Sequence, residues 1–131
     1  HRVDRRQRQM CIRDRVNTAL WEITNRINTG KGPYNIDISA DGKFLVATLK
    51  SDAKTLVWEL DKKNPSIISN NSTVPHGVVI SPDSKYAFVT VEGVGGDPGL
   101  VDVIDLEKAK VVSSVNIGKQ AGGIAFWKIE E

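Results

Sequence analysis

The amino-acid sequence predicts an all-β protein, a β-propeller fragment with two complete four-stranded blades and parts of two others. The first observation is a repeat: residues 32–43 (GPYNIDISADGK) return 42 residues later as 74–85 (VPHGVVISPDSK), and a partial copy follows at 120–127 (QAGGIAFW). Periods of roughly 40 to 50 residues in strand-like sequence are typical of propellers and related arrays. The second is that 44–47 (FLVA) and 86–89 (YAFV) are nearly continuous apolar runs, which indicates burial on both faces. Radially packed blades bury their sheets in this way, whereas a two-sheet sandwich leaves one face wet.

Each unit divides into four strands separated by residues that favour turns. A Ser-Ala-Asp-Gly or Ser-Pro-Asp-Ser segment follows each first strand, and aspartate and proline there stabilise a tight turn. The second strands are rich in β-branched and aromatic residues, and the last strand of the second unit is polar, as an edge that faces water should be. The predicted strands are 34–39, 43–50, 55–60 and 66–70 in the first unit, and 76–81, 85–92, 100–106 and 111–117 in the second.

The two ends of the repeat region predict incomplete blades. Residues 15–30 align without gaps on 103–118, at an offset of 88 residues, so they are predicted to supply the outer strand of a preceding blade. Residues 122–128 are predicted to be the inner strand of a following blade. The predicted domain is 16–131, with blade units at about 31–72 and 73–118. We expect such a chain to be part of a longer propeller.

The first fifteen residues differ from the rest in charge. They hold six arginines and two aspartates, so the remaining residues of this +2 chain carry 12 basic and 14 acidic side chains, a net charge of −2. A nucleic-acid partner is therefore not expected from the domain. Three interpretations of 1–15 remain: a basic arm for nucleic acid or anionic lipid, a disordered leader, or a non-native segment. We favour the third, because 5–15 (RRQRQMCIRDR) resembles translated sequencing-adapter read-through.

Composition excludes several classes of protein. Hydrophobic residues make up 40% of the chain and charged residues 26%, as in ordinary globular domains. No apolar stretch approaches the roughly 18 residues that a membrane-spanning helix needs. One cysteine, Cys11, excludes an internal disulfide.

The repeat resembles that of YVTN-type (YncE-like) β-propellers. The resemblance rests on 74–90 (VPHGVVISPDSKYAFVT), 103–106 (VIDL) and 111–112 (VV), and it covers 16–131. Phe-Val-Thr-Val at 88–91 stands where the family has its name-giving Tyr-Val-Thr-Asn. The resemblance implies a propeller of seven blades and a periplasmic or extracellular location, with any signal peptide outside this sequence. Such a repeat indicates the architecture of a protein and does not indicate a reaction.

No motif for a catalytic triad, a phosphate loop or a metal cluster is present in the sequence, so no catalytic residue, metal ligand or cofactor is predicted. The carboxylates Asp41, Asp83 and Asp105 recur in turns and at strand ends, which explains them without a site. His76 lies where a histidine ligates iron in haem-binding propeller relatives, but we favour a structural role, because Tyr34 and Ala121 stand near the equivalent places.

Binding is expected where loops 51–54 and 93–99 meet the starts of the inner strands, since rigid scaffolds present ligand sites on loops. The candidate ligand-binding residues are Tyr34, Asn35, His76, Glu92, Asp97 and Gln120. The predicted function is non-catalytic binding of a small molecule or protein, and the other expected partner is the remaining blades of a full-length chain. The alternatives are a propeller enzyme fragment, lactonase-like or haem nitrite-reductase-like, and a surface or adhesion module.

Overall fold

The computed structural model describes residues 11–130 and contains ten strands in three antiparallel sheets. A two-stranded hairpin comes first, followed by two four-stranded sheets, blade 1 and blade 2. The hairpin is β1 (Ile12–Asn17) and β2 (Glu22–Asn28); blade 1 is β3 (Pro33–Ile38), β4 (Phe44–Leu49), β5 (Lys54–Glu59) and β6 (Ser66–Ser69); blade 2 is β7 (Pro75–Ile80), β8 (Tyr86–Val91), β9 (Leu100–Asp105) and β10 (Lys110–Asn116).

Each blade is a meander in which every strand pairs with the next one along the chain. This confirms the predicted all-β fold with two four-stranded blades. The observed bounds of the blade strands fall within one residue of the predicted ones, and β8, for example, covers 86–91 of the predicted 85–92. Within residues 11–130, no helix is long and apolar enough to cross a bilayer.

The main core lies between the two blades. Val46 and Val57 of blade 1 pack in one cluster with Val89 and Ile104 of blade 2, and all four side chains are buried. The opposite face of blade 1 holds a second cluster built on Leu49 and its neighbours. Strand β4 is thus buried on both faces, as its continuous apolar run predicts, while β10 is mostly exposed.

The hairpin corrects the prediction for the N-terminal end. It contains two strands and not one, and β1 begins at Ile12, inside the segment 1–15 that was predicted to be a non-native or disordered leader. The bounds of β1 and β2 shifted by 88 residues are those of β9 and β10, so the repeat extends back to residue 12. Residues 1–10 of the predicted leader lie outside the described part of the chain.

The segment 122–128 is not a strand, which corrects the predicted last inner strand. Residues 121–130 form no strand or bridge, so this segment makes no ladder with blade 2 or with any other described strand. The segment nevertheless lies beside blade 2, because a side chain on Gly77 would meet the carbonyl oxygen of Gly122 at 2.9 Å and Ile124 at 3.1 Å. The segment 122–128 therefore packs beside blade 2 but does not form the predicted strand.

Candidate binding face

One end of the blades, called here the upper face, brings loop residues next to the starts of the inner strands. Pro33 at the start of β3 pairs with Leu49 at the end of β4, and Pro75 pairs likewise with Val91. The loops 50–53 and 92–99 follow β4 and β8 directly. The predicted proximity of these loops to the inner-strand starts is confirmed.

A left-handed backbone residue stands at the same place in the repeat before the two inner strands and before the segment 122–128. The φ angles are 69° at Gly32, 65° at Val74 and 58° at Gln120. Glycine suits this conformation, and at Gly32 a side chain would also approach the main-chain nitrogen of Ser51 to 2.9 Å. Valine rarely adopts it, because its branched Cβ is crowded there. The left-handed angle recurs in spite of that cost. It places the residues that follow at equivalent positions in each unit.

A buried threonine then fixes each inner strand to its neighbours. Thr48 Oγ1 accepts a hydrogen bond from the N–H of Asn35 at 3.0 Å and donates one to the carbonyl oxygen of His76 at 2.8 Å. Thr90, one repeat later, accepts from the N–H of Gly77 at 2.8 Å and donates to the carbonyl oxygen of Gly122. The pairing register of β3 with β4 and of β7 with β8 shifts at these points, so the hydroxyls satisfy N–H groups that the bulges leave without a ladder partner.

Four side chains from the two blades meet at the upper face. The rings of Tyr34 and His76 lie 4.5 Å apart between centroids, with 55° between their planes. Lys50 Nζ lies 4.7 Å from the centroid of Tyr34, and Glu92 Oε1 lies 3.5 Å from His76 Nε2. Tyr34 corresponds to His76 and Lys50 corresponds to Glu92 at the repeat offset of 42, so each blade contributes one ring and one charge. We call these four residues the ring–charge cluster.

The two nitrogens of the His76 imidazole differ: one lies near a carboxylate and the other makes no hydrogen bond within the described residues. Glu92 faces Nε2, which favours the tautomer with the proton on Nε2 and leaves a lone pair on Nδ1. Nδ1 is buried, and within the described residues it makes no hydrogen bond. An unsatisfied buried acceptor is costly, so this nitrogen marks where a donor would be stabilising.

The structure brings together Tyr34, His76 and Glu92, whereas the side chains of the other predicted site residues make no hydrogen bond or ion pair with them in the described part of the chain. The side-chain oxygen of Asn35 accepts from the N–H of Ile36 at 2.8 Å and is used locally. Asp97 and Gln120 are exposed, and among residues 11–130 no hydrogen bond or ion pair joins either to the ring–charge cluster. Sequence reasoning missed Lys50, although its 42-residue spacing from Glu92 was a usable signal.

The acidic residues at the opposite end of the blades are occupied by turns, as predicted. Asp41 accepts hydrogen bonds from Ser39 Oγ at 2.6 Å and from the N–H of Lys43 at 3.0 Å, and these bonds lower the pKa of its carboxyl group. Asp83 makes the equivalent pair with Ser81 and Lys85, with the same effect on its pKa. A depression of about 580 Å³ lies between the two turns, but these two carboxylates already hold the turns closed. Asp105 likewise accepts from the N–H of Lys108 at 2.9 Å in its hairpin connection.

Asp102 is a buried carboxylate that sequence reasoning did not single out. It accepts four hydrogen bonds, from the side chain of Asn70 at 3.1 Å, the main chain and the side chain of Asn71 at 2.9 Å each, and Ser114 Oγ at 2.9 Å. Its donors are all uncharged, and they join the linker between the blades to β9 and β10. Asp102 is thus a structural connection. Within 11–130, no group of three His, Cys, Asp or Glu side chains is placed to hold a metal ion.

Comparison with known proteins gives the fold but no family. No protein-family model and no curated protein matches the chain. Several solved structures resemble it, among them the following three. The hydrazine synthase of Kuenenia stuttgartiensis has 18% identity and a TM-score of 0.56 over 82% of this chain and 44% of its own. A functionally unknown protein from Desulfotomaculum acetoxidans has 24% identity and a TM-score of 0.68 over 84% and 35%. The Cps50 (Swd1) β-propeller domain of Myceliophteria thermophila has 20% identity and a TM-score of 0.63 over 77% and 30%. The chain spans less than half the length of each of these structures, and its fold is that of a β-propeller.

Proposed function

We propose that the chain is part of a YVTN-type, non-catalytic binding propeller that takes its ligand at the upper face. The contact between Tyr34 and His76, 4.5 Å apart across two blades, carries this proposal. It joins side chains from successive repeats at the end of the sheets where the longest loop lies, and such positions on a rigid scaffold are where binding sites are usually placed.

Rigidity below the ring–charge cluster supports the proposal. Thr48 is fully buried and holds the main chain of His76, so the imidazole projects from a fixed backbone. Tyr34, in contrast, is 50% exposed and presents part of its ring to solvent. A half-exposed aromatic ring beside a preorganised polar group is a common arrangement in ligand sites, since little ordering is required on binding.

The location and the partners of the protein belong to the same proposal. We expect a periplasmic or extracellular protein whose other partner is the rest of its own propeller. The structural neighbours include a hydrazine synthase and a Swd1 propeller domain, so the shared architecture by itself supports no particular reaction. The proposal therefore depends on the cluster and not on the fold.

The experiment is a thermal-shift screen of the full chain against a panel of small metabolites, followed by calorimetry of each compound that stabilises it. Binding should weaken on the substitutions Tyr34→Ala and His76→Ala. Tyr86→Ala is the matched control, because Tyr86 is also a partly exposed tyrosine on a strand but lies at the opposite end of its blade. If all three variants bind the compound as tightly as the wild-type chain does, the upper face is not the binding site.

A propeller enzyme is the second candidate, and the contact between His76 and Glu92 favours it. A carboxylate that orients an imidazole is an arrangement that general bases use. Mass spectrometry of each bound compound after prolonged incubation separates the two functions. Conversion that is lost in His76→Gln supports the enzyme, and recovery of unchanged compound supports the binding module.

A further inference from the structure

We infer that the ligand of the upper face is a neutral, polyhydroxylated molecule about the size of a monosaccharide. This inference rests on the proposed function and adds the chemical class of the ligand. It is argued from the charges of the ring–charge cluster, the unpartnered nitrogen of His76 and the exposed ring of Tyr34.

The two charges of the cluster have opposite sign. Lys50 and Glu92 occupy equivalent places in successive blades, so the pair has no net charge to attract an anion or a cation. In the described part of the chain, Lys50 Nζ has no carboxylate within 4.0 Å, while Glu92 contacts the imidazole of His76. The cluster therefore offers a free donor on one side and an acceptor on the other.

A hydroxyl group suits both sides because it donates one hydrogen bond and accepts two. A ligand carboxylate can accept from Lys50 but is repelled by Glu92 and has no proton to offer His76 Nδ1. An alkylammonium ion can donate to Glu92 but meets Lys50, which already lies over the ring of Tyr34. Adjacent hydroxyls on one neutral molecule satisfy the donor, the acceptor and the lone pair together.

The ring of Tyr34 supplies the apolar part of the site. A saccharide has faces of C–H groups between its hydroxyls, and an aromatic ring with one polar edge packs against such mixed surfaces. Nδ1 is buried, so a ligand hydroxyl reaches it only when a neighbouring side chain moves, and the half-exposed Tyr34 lies beside the imidazole. Half-exposed side chains change rotamer within nanoseconds, so such a movement does not limit binding.

The test uses saturation-transfer-difference NMR of the full chain with D-glucose, D-galactose and N-acetyl-D-glucosamine. Butyrate and butylammonium, at the same concentration, are the charged probes. We expect saturation of saccharide C–H protons, and affinity about tenfold weaker in Tyr34→Ala, the upper range for loss of an aromatic contact. Tyr34→Phe keeps the ring and should bind within about twofold of wild type. Tyr86→Ala serves again as the control at the opposite end of the blade.

The charge variants distinguish failure of this inference from failure of the proposed function. Lys50→Met and Glu92→Gln should both weaken saccharide binding, since each removes one hydrogen-bonding charge. Binding of butyrate or butylammonium that depends on Tyr34, with no saccharide signal, would overturn the ligand class and leave the upper face as the site. No Tyr34-dependent signal from any of the five probes, in chain shown by its NMR spectrum to be folded, would overturn the ligand class, whatever the metabolite screen finds.

Discussion

Thr48 donates a hydrogen bond to the carbonyl oxygen of His76, 2.8 Å away in the next blade. The same hydroxyl accepts from the N–H of Asn35, so one buried side chain satisfies main-chain groups of two inner strands. Thr90 repeats the arrangement with Gly77 and Gly122. The inner strands of neighbouring units share no sheet, and these hydroxyls are among the polar links that stand in place of a sheet ladder; the N–H of Ile80 bonded to Asp37 is another.

Replacing Thr48 should destabilise the fold through those two main-chain groups. Thr48→Val keeps the shape but leaves a donor and an acceptor unpaired, so we expect a loss of about 2 kcal/mol in the free energy of unfolding. Thr48→Ser keeps the hydroxyl and should lose less than about 1 kcal/mol. Urea denaturation measures both, and equal stability of the two variants would contradict the assigned hydrogen bonds.

The buried carboxylate of Asp102 predicts a larger effect. Asp102→Ala leaves four donors without their acceptor, and we expect the free energy of unfolding to fall by about 3 kcal/mol or more. Asp61→Ala, in the exposed loop after β5, is the control and should change stability by less than about 0.5 kcal/mol. A loss in Asp102→Ala no greater than in Asp61→Ala, by the same urea measurement, would show that the network contributes nothing.

The two Ser-Asp turns predict a dependence of stability on pH. Hydrogen bonds from Ser39 and Ser81 and from the following main-chain N–H groups lower the folded-state pKa of Asp41 and Asp83 below the ordinary 3.8. Their contribution is therefore present above about pH 4 and is lost as the pH falls through the lowered values. The double variant Asp41→Asn/Asp83→Asn should be less stable at pH 7, with a smaller further loss by pH 2. Urea midpoints at several pH values measure this, and an unchanged acid dependence would contradict it.

The left-handed residue before β3 predicts a position that only glycine tolerates. Gly32→Ala places a Cβ at a φ of 69° and 2.9 Å from the main-chain nitrogen of Ser51, so we expect a loss of about 2 kcal/mol in the free energy of unfolding. A side chain at Gly118 would meet no atom within 4 Å, and Gly118→Ala should be neutral within about 1 kcal/mol. Thermal unfolding compares the stabilities of the two variants. A Gly32→Ala variant more stable than Gly118→Ala would show that Gly32 is free to change conformation.

The exposed apolar side chains beside the hairpin predict self-association of this chain. Ile36 and Ile38 project from β3 with 44% and 54% of their surface exposed, and they line an apolar groove of about 250 Å³ between the hairpin and blade 1. Extended apolar faces of this kind drive association. Size-exclusion chromatography with light scattering should show assemblies that decrease in Ile36→Lys/Ile38→Lys. A compact wild-type monomer would contradict the prediction.

Much of the fold follows from local patterns in the sequence. Continuous apolar runs located β4 and β8, the Ser-Asp turns separated the first and second strands, and the 42-residue repeat predicted that both blades have the same topology. The same repeat marked Tyr34 and His76 as equivalent. These features are accessible because strand formation and turn chemistry depend on neighbours in the chain.

The sequence by itself determined the strands of the two complete blades, their order and the blade type, since each depends on contacts within one repeat. Only the tertiary structure decided that Lys50 meets Tyr34, that Thr48 reaches His76 and that Asp102 of β9 is the acceptor for the linker between the blades. It also decided that 122–128 packs beside blade 2 without becoming a strand. Contacts between repeats depend on the offset and the rotation from one blade to the next, and no local periodicity encodes those two quantities.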